Sequence, residues 1–245
     1  MKEEKLPMDI NTKAPDSFEE PSLLGKLAVA LDFDNDTKAM RIVDLLKDEV
    51  EVYKVGLELF TASGPDVVSK IIDRGKNVFV DLKLHDIPNT VFKAARVLGS
   101  LGAKLITAHS AGGSDMLRAA AEGFIEGRTY VGLDENCYCL GVSMLTSDPS
   151  FSQNLFLNRL EAIIESGING MVCSGTDLSI ASDKTADLFK VVPGIRPSGS
   201  PKGDQLRVTS PADAIKLGAD LLVVGRPIIE SSDPLAMVQT ILESL

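Results

Sequence analysis

Between Lys26 and Leu245 the sequence alternates short, continuously apolar runs with stretches of helical periodicity, about eight times over, and this alternation is the strongest constraint on the fold. The apolar runs fall at Lys26 to Phe33, Val50 to Gly56, Val78 to Lys83, Lys104 to His109, Cys139 to Leu145, Gly170 to Cys173, Lys190 to Pro193 and Asp220 to Gly225. Such runs are expected of strands buried on both faces, as in a parallel sheet covered by helices. Helices are expected around Ala39 to Leu46, Pro65 to Arg74, Pro88 to Ser100, Ser114 to Gly123, Asn154 to Glu165, Pro211 to Leu217 and Pro234 to Leu245. No Gly-x-Gly-x-x-Gly follows the first run, so a doubly wound dinucleotide-binding sheet lacks its main mark. The expectation is an α/β protein with a single (β/α)8 TIM barrel, and 245 residues match the roughly 250 that such a barrel uses.

No Pro/Gly/Ser-rich linker interrupts residues 26–245, which are therefore read as one catalytic barrel domain. Residues 1–25 are acidic, carry Pro7, Pro15 and Pro21, and are expected to form a mobile extension. That segment has no apolar core, so it matches neither a signal nor a transit peptide, and no apolar run approaches the ~20 residues of a membrane span. A cytoplasmic location is expected. With 25 Lys and Arg against 35 Asp and Glu, the formal charge of −10 argues against a nucleic-acid or anionic-membrane partner. An anionic ligand would need a local cluster of cations. The three cysteines, with Cys137 and Cys139 two apart on an apolar stretch, read as reduced packing residues, since a zinc site would need more partners.

In a barrel, polar side chains at the C-terminal ends of the strands share one mouth. Four strand ends are expected to carry charge: Asp32 closes the first, Lys54 the second, Asp81 and Lys83 the third, and Arg226 the eighth. Because strand side chains alternate, Asp81 and Lys83 should face the same side while Leu82 and Leu84 pack outward. With Lys54 from the neighbouring strand, a carboxylate then sits between two ammonium groups. A structural ion-pair network is the competing reading, but burying several charges costs several kcal/mol per ion unless they are well paired, which favours function.

The run Asp81-Leu-Lys-Leu-His-Asp-Ile-Pro-Asn-Thr90 resembles the bacterial form of the signature of the orotidine 5'-monophosphate decarboxylase family. The family's other marks appear in order: Ala30-Leu-Asp32, Tyr53-Lys54-Val-Gly56, Leu145-Thr146-Ser147, Pro193-Gly-Ile-Arg196, Asp204-Gln205 and Val224-Gly-Arg226. The resemblance runs from Lys26 to the C-terminal helix. It implies decarboxylation of orotidine 5'-monophosphate to UMP and CO2, the last step of pyrimidine nucleotide synthesis, without cofactor or metal, through a carbanion-like state at C6. By the same resemblance Lys83 would stabilise that charge and protonate C6. Asp81 would lie beside the departing carboxylate and, with Lys54 and Asp86, hold Lys83. Asp32 and Lys54 would contact the ribose and Thr146 the pyrimidine edge. Asp86, Ile87 and Thr90 would reach the neighbouring subunit's site, making the enzyme a homodimer.

The segment from Gly194 to Arg207 reads as a mobile loop after the seventh strand, and barrels commonly bind phosphate in the loops after strands seven and eight. Arg196, Gln205, Arg226 and the backbone near Gly225 are the expected phosphate group, with Arg226 suited to a bidentate contact. The only two histidines, His85 and His109, are expected to order loops or pack rather than to carry protons. Asp32-Phe-Asp-Asn-Asp36 lacks the threonine of an Asp-x-Asp-x-Thr phosphatase, and it lacks the glycine and glutamate of a calcium loop. Two other functions compete. Magnesium-dependent keto-sugar phosphate enzymes of the same superfamily share Asp-x-Lys-x-x-Asp but place a glutamate where this chain has Lys54, because a metal needs oxygen ligands. A catalytically silent nucleotide-binding barrel would be expected to lose a member of the charged cluster, and none is lost.

Overall fold

The computed structural model describes residues 23–134, 136–145, 152–181, 184–197 and 208–245. The acidic extension, read from the sequence as mobile, lies outside the described residues up to residue 22. Eight parallel strands close into a barrel in sequence order: β1 (Leu27–Ala30), β2 (Val52–Gly56), β3 (Asn77–Leu84), β4 (Leu105–His109), β5 (Tyr138–Val142), β6 (Gly170–Val172), β7 (Phe189–Val192) and β8 (Leu221–Val224). β8 returns to β1 through the pairs Leu27 with Leu222 and Val29 with Val224. The helices are α1 (Asp36–Leu46), α2 (Leu57–Ser63), α3 (Asp66–Ile72), α4 (Pro88–Ser100), α5 (Gly113–Tyr130), α6 (Gln153–Ser166), α7 (Gly175–Ala181), α8 (Pro211–Lys216), α9 (Arg226–Ile229) and α10 (Pro234–Glu243).

Strand parity divides the apolar residues into two cores. Ala28, Ala30, Val52, Phe79, Leu105, Leu140, Val142, Val172, Val191, Leu221 and Val223 fill the barrel interior. The opposite parity, including Leu27, Val29, Tyr53, Val78, Val80 and Ile106, packs outward against helical residues such as Val43, Leu98, Phe124 and Ile163. Both strand faces are thus buried, which is why the runs read as continuously apolar rather than alternating. Helix starts follow ordinary capping chemistry. Asn35, Ser152, Ser210 and Asp233 accept hydrogen bonds from the amides of Lys38, Leu155, Asp213 and Ala236, and Pro88 stands in the first turn of α4.

Three differences from the sequence expectations have physical causes. The seven-residue helices α2 and α7 and the four-residue α9 are additional to the expected ones; unlike α3 and α8, α2 and α7 have no proline to mark their start, although Ser174-Gly-Thr-Asp177 is a legible capping box whose Ser174 and Asp177 side chains bond each other's amides. Arg226 consequently begins α9 rather than ending a strand. The fifth helix does not stop at Gly123 but runs on to Tyr130. Gly123 and Gly127 are contact points, not terminators: a Cβ on either would collide with the backbone carbonyl of Phe92 or Arg96 in α4, and one on Gly99 would meet Phe124 and Arg128 in α5.

Gly127→Ala is therefore expected to lower stability by about 2 kcal/mol, the cost of overpacking exceeding the roughly 1 kcal/mol that alanine gains in a helix interior. Urea denaturation measures it. A variant as stable as the parent would show that α4 and α5 separate freely.

The cysteines are buried and form no disulfide, and burial, reinforced by Cys137, pushes the Cys139 thiol up, consistent with inert packing groups. Among the described residues no helix is long and apolar enough to cross a membrane.

Candidate active site

The interior parity of four neighbouring strands continues upward from apolar to polar. Above Ala28 and Ala30 stands Asp32, two residues beyond β1; above Val52, Lys54; above Phe79, Asp81 and Lys83; above Leu105, Thr107. Adjacent registers, Ala30 beside Lys54 and Gly56 beside Asp81, bring these side chains to one level. They form a line of alternating charge. Lys54 Nζ lies 3.3 Å from Asp32 Oδ1 and 3.6 Å from Asp81 Oδ2, and Lys83 Nζ donates to both Asp81 oxygens at 2.9 and 3.0 Å. Gly56 leaves room for this line, since a Cβ there would come within 3.0 Å of the Lys54 ammonium.

Lys54 and Asp81 are largely withdrawn from solvent, at 11% and 13% side-chain exposure, whereas Lys83 keeps 34% and faces the mouth. Burial pushes the Asp81 carboxyl up. Lys54 and Lys83, together with hydrogen bonds from Lys83 and Thr107, outweigh that and hold it below the ordinary carboxylate value. Asp81 is thus a fixed negative charge at neutral pH, and Lys83 is a cation anchored on one side and open on the other.

Lys83 is also the only non-glycine among the described residues with a left-handed backbone, at φ 51°. A side chain there costs about 1–2 kcal/mol, so its surroundings must impose it. The β3–β4 ladder supplies the cause. Val80 pairs with Ile106 and Leu84 with Ala108, so four residues of β3 advance against two of β4 and residues 81–83 leave the regular ladder.

A cavity of about 290 Å³ opens over this cluster. Its wall includes Asp32, Lys54, Asp81 and Lys83 from the ends of β1 to β3, and Pro193, Arg196, Gly225 and Arg226 from the ends of β7 and β8. Burial and then the neighbouring Arg226 push the Arg196 guanidinium down, with Glu230 opposing, so the two arginines lie close enough to repel. An anion between them would relieve that repulsion. Gly225 lets the end of β8 approach β1 closely here, because a Cβ would crowd Ala30 and Asp32 at 3.3 Å.

Of the residues selected from the sequence, Asp32, Lys54, Asp81, Lys83, Arg196, Gly225 and Arg226 share this cavity. Asp86, Ile87 and Thr90 do not line it. They are exposed on the turn after β3 and the start of α4, Ile87 at 66%, and among the described residues Asp86 bonds only the Ile87 amide and makes no ion pair with Lys83. Thr146 and Gln205, with most of the loop read as mobile, lie outside the described residues. His85 and His109 stack at 5.5 Å between ring centroids, and His109 Nδ1 accepts the Ala111 amide, a packing arrangement at the rim as the sequence reading expects. Thr107 was missed.

Comparison with known proteins agrees with this geometry. Residues 25–241 match the model of the orotidine 5'-phosphate decarboxylase / HUMPS family. A Staphylococcus haemolyticus protein named orotidine 5'-phosphate decarboxylase is 40% identical over 228 residues, 88% of this chain and 96% of that one. A Vibrio parahaemolyticus protein of the same name is 41% identical over 231 residues, 90% and 97% of the two chains. The crystal structure of orotidine 5'-phosphate decarboxylase from Lactobacillus acidophilus superposes with a TM-score of 0.76 at 34% identity, covering 89% of this chain and 97% of that one. With the barrel, the charged line on its third strand and this agreement over nearly the whole length, the chain belongs to the orotidine 5'-phosphate decarboxylase / HUMPS family.

Proposed function

We propose that this chain is a carboxy-lyase that converts orotidine 5'-monophosphate to UMP and CO2 in pyrimidine nucleotide synthesis. Family membership supports the activity, and the observation that carries the chemistry is the Asp32–Lys54–Asp81–Lys83 line across the mouth. Lys54 stands between two carboxylates, filling with an ammonium the place where a magnesium-dependent relative needs an oxygen ligand.

In the reaction the bond between C6 and the carboxylate breaks, its electron pair stays on C6, and CO2 departs. Lys83 faces that charge as a preorganised cation, then gives C6 a proton and is itself reprotonated from water. Asp81 holds the Lys83 ammonium from below and lies beside the departing carboxylate. Asp32 and Lys54 take the ribose and Thr146 the pyrimidine edge. Arg196, Gln205, Arg226 and the Gly225 backbone take the phosphate, an assignment supported by Arg196 and Arg226 both lining this cavity. The mouth is thus locally cationic in a chain whose net charge is −10, as binding of an anionic nucleotide requires. The enzyme acts in the cytoplasm as a homodimer, with Asp86, Ile87 and Thr90 serving the partner's site.

Loss of orotidine 5'-monophosphate absorbance, followed with and without a chelator, tests the reading. Equal rates are expected, and no turnover in either condition rejects it. Arg226→Ala should lower kcat/KM for the nucleotide by about 10³-fold or more, because remote phosphate contacts stabilise the closed site in which chemistry occurs. It should hardly change the slow reaction of the phosphate-free nucleoside. Equal losses on both substrates would place Arg226 elsewhere than at the phosphate.

A further inference from the structure

We propose that Thr107, on β4, is the positioning residue that fixes both the backbone and the ammonium of Lys83. The inference rests on the decarboxylase reading and deepens it. Where β3 shifts register against β4, the Lys83 amide donates to Thr107 Oγ1 at 2.8 Å. The single hydroxyl proton of Thr107 goes to Asp81 Oδ1 at 3.0 Å. Asp81 in turn accepts the Lys83 ammonium through both oxygens. The circuit is closed: the backbone of Lys83 reaches Asp81 through Thr107, and its side chain reaches Asp81 directly.

The polarity of the circuit admits few substitutes. A hydroxyl can accept from the amide and donate to the carboxylate at once, whereas a methyl group of the same size does neither. Thr107 is 1% exposed, so water has little access to replace it. Without that hydroxyl the left-handed backbone at Lys83 loses the partner that offsets its strain, and Asp81 loses the donor that sets its rotation. The ammonium would then move relative to C6. Thr107 stands behind Asp81 and Lys83 and does not itself line the cavity, so the effect belongs to the chemical step rather than to nucleotide binding.

The experiment compares Thr107→Val, Thr107→Ala and Thr107→Ser with the parent enzyme for kcat, KM, UMP affinity and hydrogen exchange at the Lys83 amide. Valine preserves size and β-branching, alanine avoids any crowding by the second methyl, and serine keeps the hydroxyl. Valine and alanine are expected to lower kcat about 100-fold, the scale of an ångström-level misplacement, with UMP affinity within about threefold of the parent. The Lys83 amide should lose protection in both. Serine should restore kcat and protection to within about threefold of the parent, since it supplies the same donor and acceptor. Valine and alanine variants with parental kcat would overturn the inference, as would serine failing as badly as valine. So would kcat and UMP affinity falling together, which would mark a purely structural residue. If the valine variant fails to fold, the contrast between alanine and serine decides the matter. A parent enzyme inactive on orotidine 5'-monophosphate would instead overturn the decarboxylase reading, and this inference with it.

Discussion

Replacing Lys83 by alanine is expected to lower kcat by at least about 10⁴-fold while leaving UMP affinity within about tenfold of the parent. Two losses combine in that figure. The cation 2.9 Å from Asp81 no longer faces the charge developing on C6, and no other described ammonium is both anchored and exposed at the mouth, because Lys54 is spent between Asp32 and Asp81. The proton donor for C6 is lost as well. Product affinity should survive because UMP carries no charge at C6 for Lys83 to meet, and the proposed phosphate residues Arg196 and Arg226 lie at the ends of β7 and β8 rather than on β3. Parallel measurement of kcat and UMP binding checks this, and near-normal kcat would remove Lys83 from the chemistry. Lys83→Gly is a useful companion. It should be equally inactive yet more stable than the alanine variant by about 1 kcal/mol, since glycine has no Cβ to strain at φ 51°.

The alternation of apolar runs and helical periods was enough to read the closed barrel, because each strand is buried on both faces and each helix on one. The same parity rule puts Asp81 and Lys83 inward and Leu82 and Leu84 outward, and the structure agrees. Thr107 stayed hidden for a physical reason. Threonine is an ordinary strand former, and in Leu105–His109 nothing local distinguishes it. Its importance comes from a slip in pairing between two strands, which is a property of the assembled sheet. The left-handed backbone of Lys83 is hidden likewise, since a lysine carries no turn signal. The short α2 and α7 lack the leading proline that marks α3 and α8, and Gly123 misled because glycine serves close helix packing as readily as helix ends. The stacking of His85 on His109 joins residues far apart in sequence through the adjacency of β3 and β4.

Activity is expected to return when two inactive variants, Lys83→Ala and Asp86→Ala, are dissociated, mixed and reassociated. The position of Asp86 motivates this. It follows Lys83 by three residues, yet the chain has already left the barrel, and the exposed Asp86 and Ile87 stand outside the cavity of their own subunit. A carboxylate and a large apolar side chain presented together on a turn beside the mouth suit contact with a second copy. In the proposed shared site, a heterodimer has one site carrying both defects and one combining intact Lys83 with the partner's intact Asp86. Random mixing of equal amounts makes half of the dimers mixed, each with one restored site of two, so about a quarter of parental activity should appear in an isologous dimer. If Asp86 served its own subunit, every site would retain a defect and mixing would restore nothing. Subunit exchange is monitored independently with a mass-tagged chain. Samples that exchange fully and remain as inactive as either variant would reject the shared site, while the barrel, the charged line and the phosphate side would stand as described.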